Sequence, residues 1–191
     1  MSDVLPKCVV LKDGNDLSDG VLINHRDRYE YEQTTGPMRL KLGPSSGHVA
    51  LMKALLAELD EPFTILYILD PSRTEAQVGR YQSPMDLDRF AVYSFLDEYS
   101  EYFEQDGRHE IWVYSETQQA TLVYDRHEII YAYGPLDRFE RVAKARGLLP
   151  GPVQVTAPHC HHYHNQFDDH QDRVMAHFEW IHSELREEDE G

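Results

Sequence analysis

The stretch from His109 to Tyr133 constrains this chain more than any other. It holds three runs rich in β-branched and aromatic residues, His109–Ser115, Ala120–Tyr124 and 127–133, joined by links of four and two residues. A parallel crossover needs about a dozen residues or more, so these runs can pair only as an antiparallel meander. A fold containing them is built on antiparallel sheet, with its apolar face closed by other elements.

The rest of the sequence extends that frame. Cys8–Leu11 is a short apolar run that stops at the turn cluster 13–16, and 20–24 is another. Arg28–Gln33 and 38–42 alternate on either side of a Thr-Thr-Gly-Pro link at 34–37, a hairpin. Phe63–Leu69 is apolar on both faces and reads as a central strand. Four segments read as helices. Residues 47–59 carry Val49, Met52, Leu55, Leu56 and Leu59 on one face, with Ser46 as cap. A helix is expected from Ser83-Pro84 to Gln105, after a loop over 70–84. Residues 134–147 present Leu136, Phe139, Val142 and Ala143. The last helix is expected from Asn165 on a seam of Phe167, Val174, Phe178, Ile181 and Leu185, before a frayed acidic tail at 186–191. The expectation is an α+β fold: a mostly antiparallel sheet, covered on one face by about four helices. A core domain spans 1–150, and 151–191 adds a His-rich link and a C-terminal helix packed on it.

At 191 residues the chain is long enough to bury a core without disulfides or a structural metal. No apolar run approaches the roughly 18 to 20 residues of a membrane span. The first residues lack the basic and apolar regions of a signal peptide, and the two cysteines, Cys8 and Cys160, are far apart. Together these predict a cytoplasmic protein with reduced thiols. The net charge is −16, and residues 86–106 and 167–191 hold most of it. Such a field disfavours nucleic acid and anionic membrane, and favours a basic protein partner or self-association.

Four constellations could carry chemistry. Seven of the eleven histidines fall between 159 and 182, most densely in Pro158-His-Cys-His-His-Tyr-His164. If this stretch is extended, His159 and His161 share one face, while Cys160, His162 and His164 share the other. Imidazole with carboxylate suits zinc or nickel, and the expected ligand set is His162, His164, Asp169 and His170. The same cluster, protonated near pH 6.5, would set positive charge beside the acidic last helix as a pH-responsive surface. The Gly-Pro-Ser-Ser-Gly run at 43–47 fits the G-x-S-x-G pattern of a nucleophile elbow around Ser45, with Asp70 and the histidines downstream. Its preceding strand alternates, however, and Pro44 constrains the turn, so a turn-and-cap role competes. Finally, Tyr93, Asp97, Glu101 and Glu104 form an acidic and aromatic stripe along one helix, suited to steering and anchoring a basic protein. The leading expectation is a non-catalytic interaction module. The alternatives are a metal-binding protein, in one version a metal-dependent hydrolase, and then a Ser45 hydrolase.

Overall fold

The computed structural model describes residues 6–11, 20–22, 25–155 and 158–189. The turn expected at 13–16 lies outside these residues. In chain order the strands are β1 (Cys8–Leu11), β2 (Gly20–Leu22), β3 (Arg28–Gln33), β4 (Met38–Gly43), β5 (Phe63–Leu69), β6 (Gly79–Gln82), β7 (His109–Ser115), β8 (Ala120–Tyr124), β9 (Ile130–Tyr133), β10 (Leu149–Pro150), β11 (His159–His161) and β12 (Ile181–Ser183). The helices are α1 (His48–Leu56), α2 (Arg89–Glu98), α3 (Ser100–Gln105), α4 (Leu136–Ala145) and α5 (Asp168–Met175).

The meander β7-β8-β9 forms as expected and sits mid-sheet. Nine strands run in the order β10-β3-β4-β9-β8-β7-β5-β6-β12, antiparallel except where β10 joins β3. A second sheet, β11-β1-β2, is antiparallel throughout. The pleat sorts residues by face. Leu40 and Leu42, Ile65 and Tyr67, Ile111 and Val113, Leu122 and Tyr124, and Ile130 and Ala132 are fully or almost fully buried. They join one core with Leu55 of α1, Phe95 of α2, Phe103 of α3 and Phe139 of α4. This is the predicted α+β architecture, with the helices on one face.

Several boundaries differ from those read in the sequence, each for a local reason. Ser46 does not cap α1. Gly47 precedes the helix in the left-handed region, φ 71°, and Glu104 Oε1 of α3 accepts the Val49 N–H at 2.7 Å. The helix expected from residue 83 starts only at α2, because 83–87 run alongside β5. There Ser83 N donates to Ile65 O, Phe63 and Leu87 exchange backbone bonds, and Ser83 Oγ accepts from Ile65 N. Asp88 caps α2 through Ala91 N at 2.7 Å. Tyr99 then leaves helical geometry (φ −109°, ψ 15°) and divides α2 from α3. Within the expected 70–84 loop, 79–82 form β6.

The last helix is also shorter than its apolar seam suggested. The α5 helix stops at Met175, where Trp180 Nε1 donates to Val174 O at 2.8 Å. Phe178 and Trp180 fold back onto Phe95, with ring centroids 5.5 and 6.0 Å away. Ile181 leaves the seam for the free edge of β6, which offers unpaired backbone groups. The tail is anchored as far as Asp189, whose carboxylate meets Arg80 at 2.6 and 2.7 Å in a buried ion pair. Among the described residues no helix is long and apolar enough to cross a membrane.

Candidate metal centre

The tight turn between β8 and β9 is organised by one carboxylate. Asp125 Oδ1 accepts the backbone N–H groups of His127 at 2.9 Å and Ile129 at 2.8 Å, an Asx turn. Its other oxygen, Oδ2, lies 3.1 Å from His127 Nδ1. Burial alone would raise this carboxyl group. The His127 contact, the Ile129 N–H and the nearby Lys7 outweigh it and hold Asp125 below the usual carboxylate range. With Nδ1 turned to the carboxylate, His127 presents Nε2 outward.

β11 supplies the other side. It pairs with β1 in the register Cys8↔His161 and Val10↔His159, so its extended backbone puts His159 and His161 on one face and Cys160 on the other. His159 Nε2 stands 3.1 Å from His127 Nε2. The His127 ring lies 4.8 Å from that of His159 and 4.9 Å from that of His161. One ring nitrogen from each histidine falls within 4.8 Å of the other two. His161 Nδ1 is buried with no hydrogen-bond partner among the described residues, and burial, then the neighbouring His127 and Arg126, push this imidazole down to about 3. His159 is lowered in the same sense, by burial and then by His127.

The arrangement suits a transition-metal ion. Two imidazoles on one tetrahedral zinc, with bonds of about 2.0–2.1 Å, have nitrogens about 3.3 Å apart, near the spacing of the His127–His159 pair. A carboxylate behind one ligand is the usual orienting partner of a metal-bound histidine. Three protein ligands would leave a fourth position open.

The ligand set expected from sequence is placed differently. His162 turns its Nδ1 to Pro6 O at 2.8 Å, and its ring lies 6.3 Å from that of His164. The Phe167 ring packs against both His164 and His170, at 6.2 and 5.3 Å. His164 Nε2 and His170 Nδ1 are buried without hydrogen-bond partners among the described residues, while Asp169 is exposed on the first turn of α5. Among the described residues, the group of three or more close metal-binding side chains is His127, His159 and His161. Sequence reasoning reached the pairing of His159 with His161 by strand alternation. His127 carried only a local signal, an Asp-x-His pair in a tight turn, and lies 32 residues from His159.

The other candidates have internal engagements. Ser45 Oγ is 2.9 Å from both oxygens of Asp27, and that carboxylate also accepts the Ser45 N–H at 2.8 Å. Asp97 holds Lys53 Nζ at 2.6 and 2.5 Å, Tyr93 OH donates to Lys53 O at 2.7 Å, and Glu104 holds the start of α1. Glu101 is exposed. Compared with protein-family models, curated proteins and solved structures, the chain matches none.

A buried anchor holds the segment that follows β11. Arg108 is fully buried and binds Asp106 through Nε at 2.7 Å and through a terminal nitrogen at 2.9 Å. Its remaining donors reach Asp168 Oδ1 at 2.8 Å, Gln171 Oε1 at 2.9 Å and His164 O at 2.8 Å. Asp106 also accepts His164 N at 2.7 Å. One guanidinium thereby ties the β7 end of the sheet to the histidine segment and to α5.

Proposed function

We propose that this protein binds a divalent transition metal, zinc or nickel, through His127, His159 and His161. The observation behind the proposal is the 3.1 Å approach of two imidazole nitrogens, one backed by Asp125, with a third histidine beside them. Three nitrogen donors suit zinc, nickel or copper over magnesium or calcium. The proposal keeps the metal-binding reading of the histidine segment and moves its centre to the β8–β9 turn. Elemental mass spectrometry of tag-free protein tests it. About one metal per chain is expected, lost in His127→Ala/His161→Ala and kept in His162→Ala/His164→Ala. Substoichiometric or mixed metal would reduce the pair to an imidazole–imidazole hydrogen bond. Loss confined to the His162/His164 variant would return the site to His162, His164, Asp169 and His170.

A second reading, a non-catalytic interaction module, is supported by the charge of −16 and by a groove of about 630 Å³ along α1, α2 and α3. Tyr93, Asp97 and Glu104 all line it. A basic partner or a second copy of the chain would be held there by charge, so association should weaken from low to high salt. Sedimentation over a concentration series tests the second copy, and low-salt pull-down tests the basic partner. Sedimentation and capture that do not change with salt would remove the charge-based account.

A further inference from the structure

The face of the large sheet turned away from the helices carries a second feature. One cross-strand row runs Lys41, Tyr131, Val123, Trp112, Leu66, Gln82, Ile181, each residue directly opposite the next. Two concavities lie side by side along this row, of about 560 Å³ and 520 Å³, and they meet at Trp112 and Thr121. They extend from β4 to β12. Seven strands at about 4.8 Å spacing make the cleft roughly 29 Å long.

We infer that this cleft binds a neutral, polyhydroxylated chain, an oligosaccharide. Three features converge on that chemistry. The floor is aromatic and half-exposed: Trp112 at the junction, with Tyr131 and Tyr133 in one lobe and Tyr114 in the other. Arg39 stacks over Tyr131 at 4.0 Å and Arg80 lies 5.8 Å from the Trp112 ring centre, and Trp112 and Tyr114 offer flat apolar surface to the C–H face of a sugar ring. The sides carry uncharged hydrogen-bonding groups, Thr64, Gln82 and Ser183 in one lobe and Gln119 in the other, with Thr121 between them. These suit the hydroxyl rim of the same ring.

The floor charges are paired within the protein. Arg39 reaches Glu32 at 2.5 Å and Tyr133 OH at 2.6 Å. Arg80 is held by both oxygens of Asp189, and Glu110 faces Arg126 at 3.3 Å. A phosphate or carboxylate ligand would have to break these pairs, and a cationic ligand would compete with the same guanidiniums. Glu116 and Arg186 also line one lobe and Asp125 the other, so the cleft carries three arginines and three carboxylates; an aromatic floor with balanced charge favours an uncharged polymer over a nucleotide or a charged peptide. His127 and Asp125 stand at the end of one lobe. The inference does not rest on metal, and it is tested with metal removed.

The chain has two tryptophans, and Trp180 packs into the core. Trp180→Phe leaves Trp112 as the reporter. This variant is titrated in EDTA with cellohexaose, maltohexaose and N-acetylchitohexaose. A saturable change in Trp112 emission is expected with at least one of them. Calorimetry on Trp112→Ala in the otherwise native chain should then show affinity weakened about tenfold or more. If that variant does not fold, Gln82→Lys, which sets a charge on the rim, should give the same weakening. Absence of saturation with all three sugars overturns the inference. So does tighter binding of a sulfated hexasaccharide than of any neutral one. A concentration-dependent dimer abolished by Trp112→Ala would assign the face to a second copy of the chain and overturn it as well.

Discussion

Arg108→Met is the most informative single change. It removes five side-chain hydrogen bonds from a fully buried position, two of them to Asp106 and one each to Asp168, Gln171 and the His164 carbonyl. Removing one partner of a buried ion pair typically costs about 3–5 kcal/mol, because the other charge is left uncompensated. Here Asp106 would keep two donors, the backbone N–H groups of Arg108 at 3.1 Å and His164 at 2.7 Å, and methionine fills part of the volume. The expected loss is therefore near the lower end, about 3 kcal/mol. It should also be uneven. Three of the lost bonds tether residues 164–171, so the histidine segment and α5 should loosen before the large sheet does. Urea unfolding gives the total, and amide exchange resolved by segment gives the distribution. The expected pattern is a large loss of protection over 159–175 with little change in β5, β7 and β8. Metal affinity should fall with it, since His159 and His161 ride on the same segment. A loss below about 1 kcal/mol, or exchange that rises uniformly across the sheet, would refute the idea that Arg108 clamps this segment.

Other outcomes follow from single contacts. Asp125→Ala takes the orienting carboxylate from His127 and the acceptor from two turn N–H groups, so metal affinity measured by competition with a chelator should drop about 10- to 100-fold. An unchanged affinity would mean that the turn holds His127 without it. Asp88→Ala removes the cap of α2 and should cost about 1 kcal/mol in urea unfolding. His48 is buried, and burial, then Lys7, push it down to about 3 from an ordinary value near 6.5. Below pH 6.5 the unfolded chain therefore takes up a proton that the folded chain refuses, and stability falls with pH until about 3. His48→Gln should remove up to about 1.4 kcal/mol per pH unit from the dependence between pH 6 and 5, read as the difference from the native chain. Equal slopes for the two proteins would show that His48 is protonated in the fold.

Much of the scaffold was legible in the chain because it is local. The β7-β8-β9 meander followed from link length, the β3–β4 hairpin from alternation about a Thr-Thr-Gly-Pro turn, and α4 from an apolar face at helical spacing. The shared face of His159 and His161 followed from strand period alone. What the chain did not disclose depends on edges and partners distant in sequence. Ile181 has the spacing of a helical seam, yet it pairs with β6, because a free sheet edge satisfies its backbone once Trp180 has closed the end of α5. Residues 83–87 have a helix-start pattern, yet β5 claims their hydrogen bonds.

The candidate centre divides in the same way. Sequence by itself determined that histidines concentrate near one strand and that two of them point alike, since side-chain direction in a strand is a property of the backbone. Only tertiary structure brought His127 beside that pair. That placement depends on β11 pairing with β1, and on the Arg108 anchor holding the segment that follows β11 against the sheet. Both are long-range contacts whose energy no local pattern encodes.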